Sequence, residues 1–166
     1  VDCLLVIHSG TGAEMSGNSN DIWSHKWGIT PRLKDGVYIS TYTVQPEFWT
    51  AAGDMTIGVY SHELCHGFGL PDLYDINTAN GNSYGAGNWC VMAYGCWNGP
   101  SGRGGSPSHP SAWSRMHMDM AVATNVTSNL TAQTITPVET GGTIYRLWSS
   151  GAAGNEHFLV EAASID

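Results

Sequence analysis

The feature that most constrains this chain of 166 residues is His62-Glu63-Leu64-Cys65-His66, set in a segment with the periodicity of a helix. Across residues 56–68, Tyr60, Leu64 and Phe68 recur every fourth position, with Ile57 three before the first, which is the spacing a helix needs for one apolar face. Asp54 or Thr56 can cap its start, and Gly67 and Gly69 can close its end. Four residues advance a helix by about 400°, so the two imidazoles stand one turn apart on one face, close enough to share a metal ion. The chain then reads Gly67-Phe68-Gly69-Leu70-Pro71-Asp72, which brings in a third ligand type. A helix continued that far would carry Asp72 about 15 Å along the axis from His62, outside any coordination sphere. It must break, and Gly69 with Pro71 supplies the break. His62, His66 and Asp72 around one ion, with a fourth position open to water, form the ligand set of a catalytic zinc site, not of a closed structural one. Glu63, beside the first ligand, can take a proton from a metal-activated water and pass it to a leaving amine, which is the chemistry of peptide hydrolysis.

Composition narrows the setting. The length predicts one domain, 1–166, with an upper part of about 1–69 and a lower part of about 70–166. Uninterrupted apolar runs such as Leu4-Leu5-Val6-Ile7 are far too short to cross a bilayer. Six Lys and Arg against fourteen Asp and Glu, with the basic residues scattered, exclude a phosphate-neutralising surface, so no nucleic-acid partner is expected. Charged residues are only 12% and glycines number 21, so neutral polar side chains must make the surface, a style associated with secreted proteins. Cys3, Cys65, Cys90 and Cys96 allow three complete disulfide pairings, and Asn125-Val-Thr127 and Asn129-Leu-Thr131 are glycosylation sequons. An extracellular location and disulfide bonding are therefore expected. Val1 to Ile7 lacks a basic stretch and a small-residue cleavage site, so the chain reads as a mature or excised piece.

Along the chain, residues 3–8 read as a buried strand, 21–27 as a packed aromatic segment and 36–44 as a strand ended by Pro46. Residues 71–105 show no periodicity, and an irregular stretch of that length inside a compact domain is usually functional. Ser108-His109-Pro110 has the form of an N-cap and first-turn proline opening a short helix through Ala112, Trp113 and Met116. Residues 143–148 and 157–162 alternate like paired strands with a turn at 151–155. Asp75, Asn77, Asn80 and Asn82 form an oxygen-rich run that could hold calcium, or simply an Asx-rich turn. Glu139, Glu156 and Glu161 could each replace Asp72 as third ligand, but the spacing and the Gly-x-Pro break favour Asp72. His8, His25, His109, His117 and His157 lack ligand spacing and fit hydrogen-bonding or capping roles.

The extended pattern His-Glu-x-x-His-x-x-Gly-x-x-Asp resembles the metzincin metallopeptidases, and Trp89-Cys90-Val91-Met92-Ala93-Tyr94-Gly95 resembles their methionine turn. Within that clan the chain is similar to the immune inhibitor A family of secreted peptidases. The likeness is carried by Asp21-Ile22-Trp23-Ser24-His25-Lys26-Trp27, by 61–75 with its Gly-Leu-Pro-Asp-Leu-Tyr-Asp ending, by Gly87-Asn88-Trp89, by 107–113 and by His157-Phe158-Leu159-Val160-Glu161. It implies an α/β zincin domain: a mixed sheet and an active-site helix over a loop-rich lower subdomain, with Met92 beneath the metal. It further implies a secreted zinc endopeptidase acting on protein or peptide substrates, which would lie extended along the cleft and pair with the edge at 36–44. Met116-His117-Met118-Asp119-Met120 departs from the Leu-Gly-Trp usual in the family. Tyr94 matches the Met-x-Tyr of astacin-like and serralysin-like relatives, where the phenol stabilises the oxyanion, while packing is its other reading. A zincin fold kept for binding, as in an adhesin or toxin component, and an exopeptidase are the competing readings; the intact Glu63 opposes the first, and no charged group for a substrate terminus supports the second. Side-chain preference and oligomeric state have no signature in the sequence.

Overall fold

The computed structural model describes residues 3–77, 79–148 and 153–164. Strands β1 (Cys3–His8), β2 (His25–Lys34) and β3 (Val37–Pro46) make a mixed sheet in the order β1-β3-β2, with β1 parallel and β2 antiparallel to β3. The β2-β3 hairpin turns on Asp35 and Gly36, both at positive φ, the two-residue turn whose twist matches that of the strands it joins. A single helical turn, α1 (Ala13–Ser16), sits between β1 and β2. Its Glu14 accepts from the backbone N–H and the hydroxyl of Ser24, fixing the entry to β2.

Two expectations change here. The strand at 36–44 is the centre of the sheet, hydrogen-bonded on both sides, so the edge available to an extended peptide is β2 instead. The sequence hides β2 because Gly28 and Pro31 interrupt its alternation, and the register shifts between Gly28 and Arg32 to accommodate them. Nor is β1 buried: Leu4, Leu5, Val6 and Ile7 are 37 to 56% exposed. An unbroken apolar run reads as a strand covered on both faces, whereas β1 is the other edge of the sheet.

Helix α2 (Ile57–Gly67) packs on β3 and β2. Thr56 is its N-cap by backbone geometry, but the Thr56 hydroxyl caps nothing; it accepts from the Trp49 indole and donates to the Arg103 carbonyl. Asp54 caps the preceding loop, accepting from the backbone N–H of Trp49, Thr50 and Ala51, with the Thr50 hydroxyl helping to hold its carboxyl down at about 2. The helix is moored at its start by Gly58 N–H donating to Gly104 O at 3.0 Å.

Beyond α2 the chain is irregular, as expected, with 3-10 turns at Gly87–Trp89, Tyr94–Trp97 and Pro100–Gly102. Its core gathers Leu70, Cys90, Val91, Met92 and Cys96. The four cysteines are free, so the expected disulfides are not formed. Helix α3 (Ala112–His117) starts three residues later than the sequence indicates: Ser111, not Ser108, caps it, accepting from Ser114 N–H at 3.3 Å. A second sheet holds β4 (Thr124–Val126), β5 (Tyr145–Trp148) and β6 (His157–Val160). The β5-β6 pair is antiparallel as expected, the turn at 151–155 lies partly outside the described residues, and β4, parallel to β5, has no sequence signature.

Glu161, just after β6, is committed to the fold. Its carboxylate accepts from Ala112 N–H at 2.6 Å and from the Arg115 guanidinium at 2.5 Å, tying the second sheet to the start of α3. The Arg115 side chain is only 11% exposed. Glu161→Ala would leave that cation buried without a partner and is expected to lower stability by about 3 kcal/mol in urea unfolding; a loss below about 0.5 kcal/mol would show that the pair holds nothing.

Candidate metal centre and cleft

Two histidines on one helix face become metal ligands only if their ring nitrogens are turned the right way. In α2 the His62 Nδ1 lies 2.8 Å from Val91 O and the His66 Nδ1 lies 2.7 Å from Leu70 O. A carbonyl oxygen can only accept, so both Nδ1 atoms carry a proton, and in the neutral rings both Nε2 atoms present a lone pair. Those Nε2 atoms stand 3.1 Å apart, and Asp72 Oδ1 stands 3.2 Å from one and 3.3 Å from the other. Asp72 Oδ1 is buried and has no conventional hydrogen-bond partner. Three electron-rich atoms so placed repel one another unless a proton or a cation lies among them. Among the described residues, this is the group of His, Cys, Asp or Glu that could hold a metal ion, its ligand atoms all within 4.8 Å of one another. Two imidazole nitrogens and a carboxylate oxygen suit zinc.

The helix break that delivers Asp72 is the one the sequence indicates. Phe68 N–H still reaches back to Leu64 O, but Leu70 N–H turns back to Cys65 O and Gly69 sits at φ +93, where a side chain is disfavoured. The reversed chain is then stapled by Leu73 N–H donating to Met92 O at 2.7 Å. Val91, which orients His62, is the neighbour of Met92, whose side chain is fully buried. The methionine turn thus holds the first histidine by one carbonyl and the aspartate segment by the next.

The electrostatics follow from burial opposed by close partners. Burial alone would lower His62, but the Asp72 carboxylate 3.2 Å from its Nε2, with Cys96 and the Val91 carbonyl, outweighs it and pushes the imidazole up to about 10, so with no cation in the cluster Nε2 holds a proton that a metal ion would displace. His66 is raised for similar reasons, and the Asp72 carboxyl, despite burial, is driven well below the usual carboxylate range by the two imidazoles. Glu63 moves the other way: it is buried, and desolvation raises its carboxyl although His62 and His66 oppose the shift. The two carboxylates of the site are pushed apart, one held ionised and one drawn toward holding a proton.

These groups line a cleft of about 640 Å³ whose walls include Trp23, His25, Tyr74, Tyr94 and Trp97. Tyr94 packs its ring against Tyr84 at 4.6 Å and Tyr74 at 5.8 Å while remaining on the cleft wall, 41% exposed. Tyr74 escapes the sequence reading. Burial, the charge of Asp72 and a hydrogen bond to it push the Tyr74 phenol up to about 12. The remaining histidines with polar contacts play local roles: His8 meets Ser9 O, and His25 spans Trp23 O and the Tyr42 hydroxyl. His117 stacks on Trp113. Glu139 accepts from Ser164 N–H and Glu161 serves α3, so neither joins the cluster. Asp75 and Asn77 accept from Asn77 N–H and Ala79 N–H, as in successive Asx turns.

The chain is similar to known proteins. The chain is 34% identical over 116 residues, 60% of its length, to immune inhibitor A of Bacillus thuringiensis subsp. alesti. Over 141 residues, 74% of its length, it is 30% identical to the pre-pro-metalloprotease PrtV of Vibrio cholerae serotype O1 (strain M66-2). The matched stretches are 16% and 14% of those proteins, so the chain corresponds to a small part of either. Residues 1–126 match the family described as immune inhibitor A peptidase M6, catalytic domain. Because that match covers most of the chain and contains the whole converging trio, the chain belongs to the immune inhibitor A family of metallopeptidases.

Proposed function

We propose that this chain is the catalytic domain of a zinc endopeptidase that cuts extracellular proteins. The observation that carries the reading is the convergence of His62 Nε2, His66 Nε2 and Asp72 Oδ1 beside the buried carboxyl of Glu63 in one open cleft. In this reading the three atoms hold a zinc ion, which when bound brings the pKa of water down to about 7 and polarises the scissile carbonyl. Glu63 accepts the proton released at the attacking water and delivers it to the amine nitrogen as the C–N bond breaks; a carboxyl raised by desolvation is suited to holding that proton between the two steps. Tyr94 donates its hydroxyl to the oxygen that becomes negative in the tetrahedral state.

Substrate would run extended along β2, the sheet edge whose first residues, with Trp23 and Ser24, border the cleft. The cleft would then lie between the part at 1–69 and the part at 70–166 of a single domain. An extracellular site of action is supported by the charge-poor, glycine-rich composition, by the two sequons and by a relative named as a pre-pro-protein.

Three substitutions test the roles separately. Glu63→Gln should retain one zinc per chain, read by chelator competition, and digest casein about 10³-fold more slowly; near-full activity would overturn the general-base role. Asp72→Ala should weaken zinc binding itself, in the same competition, and unchanged affinity would remove Asp72 from the ligand set. Tyr94→Phe should lower kcat by about 10² to 10³ with little change in KM, the loss usual for one oxyanion donor; an unchanged kcat would leave Tyr94 a packing residue.

A further inference from the structure

The wall of the cleft has a second side. Tyr74 and Tyr94 face the His62-His66-Asp72 cluster and also bound a neighbouring recess of about 470 Å³, closed by Ile76 and Tyr84 with Asn82 and Ser83 at its rim. That volume falls within the range of small-molecule and side-chain sites, and the chemistry described above makes no use of it.

Its apolar residues are out of place for a structural role. Ile76 is 73% exposed and Tyr84 is 67% exposed, in a loop otherwise made of Asn, Ser, Gly, Thr and Ala. Large apolar groups grouped on a surface in this way mark a binding face more often than a defect. The loop that presents them is also held firmly at its base. Ala86 N–H donates to Leu73 O at 2.8 Å, Asp75 N–H to Ser83 O at 3.0 Å, and Leu73 N–H to the methionine turn. Gly85, next to Tyr84, sits at φ +55, and a Cβ there would stand 1.9 Å from Leu73 O, so the turn that aims Tyr84 admits no side chain. The rings of Tyr84 and Tyr94 pack tilted and those of Tyr74 and Tyr94 pack edge to face, which sets the aromatic walls before any ligand arrives.

At the edge of the recess Asp75 Oδ1 accepts from Asn77 N–H at 2.9 Å. An aromatic or large aliphatic side chain entering the recess would meet three tyrosine rings and an isoleucine.

We propose that this recess is a specificity subsite that receives a large apolar side chain, aromatic above all, from the substrate residue beside the scissile bond. The proposal rests on the peptidase reading only for the identity of the ligand as a peptide substrate. Tyr84 and Ile76 act in it as selectivity residues that take no part in the bond cleavage.

The test uses short peptides in which a single Phe is walked through an alanine-serine background. Their binding to the zinc-loaded Glu63→Gln chain is followed by fluorescence anisotropy, and their cleavage by the unaltered chain by mass spectrometry. One Phe position should improve binding by about 10-fold over the peptide without Phe, and the unaltered chain should cut next to that Phe. Adding Tyr84→Ala should abolish the preference and leave binding of the Phe-free peptide within about twofold. Ile76→Ser provides the same test by a change that leaves the tyrosine rings in place. Equal binding of every peptide, a preference that survives both substitutions, or a uniform loss across all peptides would overturn the subsite. Selective binding of one Phe peptide with no cleavage by the zinc-loaded unaltered chain would overturn the peptidase reading alone, and cleavage without any Phe preference would overturn the subsite alone.

Discussion

Two backbone carbonyls outside the candidate metal cluster set the orientation of both its histidines. Val91 O and Leu70 O each take the Nδ1 proton of one histidine, and only that choice of tautomer turns both Nε2 lone pairs inward toward Asp72. Much of the lower half of the chain serves to hold those two carbonyls in place. Leu70 O is delivered by the break after α2, where Leu70 N–H closes onto Cys65 O. Val91 O is delivered by a turn whose next side chain, Met92, is fully buried among Leu70, Cys90 and Cys96. A methionine at that position is a packing residue whose effect on the site passes through its own backbone: Met92 O receives Leu73 N–H, next to the aspartate.

The same arrangement separates the roles of two nearby carboxylates. Asp72 meets two imidazoles at 3.2 and 3.3 Å and stays ionised. Glu63, one residue from His62 in sequence, is buried and its carboxyl is raised. In the proposed reading Asp72, as a ligand, must remain charged and Glu63, as proton carrier, must take a proton and release it, and desolvation at one group with ion pairing at the other suits that difference.

What could be read from the sequence was local and periodic. The helix at 56–68, its end at Gly69 and the return of the chain at Asp72 follow from spacing, and the structure has α2 at Ile57–Gly67 with the three side chains together. The misreadings all concern properties that neighbours decide. An apolar run such as Leu4 to Ile7 shows that a strand forms but not how many layers cover it, and a β-branched stretch such as 37–46 does not reveal whether it lies at the edge or in the middle. Strand β2 was concealed by Gly28 and Pro31, and the true cap of α3 by a serine three residues before it. Tyr74 went unnoticed because its relevance comes from contact with Asp72 across a turn that has no periodicity. The loop carrying Ile76 and Tyr84 belongs to the same class: composition marks it as irregular, and only the pairing of residues 73 to 86 and 75 to 83 shows that its apolar side chains stand beside the cleft.

The most direct test of the metal centre is a crystallographic anomalous-difference map of the zinc-loaded chain, recorded on both sides of the zinc absorption edge. The expected result is one peak about 2.0 to 2.2 Å from His62 Nε2, His66 Nε2 and a carboxylate oxygen of Asp72, with both Nδ1 atoms still donating to Val91 and Leu70. A peak coordinated by another carboxylate in place of Asp72, or no peak between the two histidines, would contradict it.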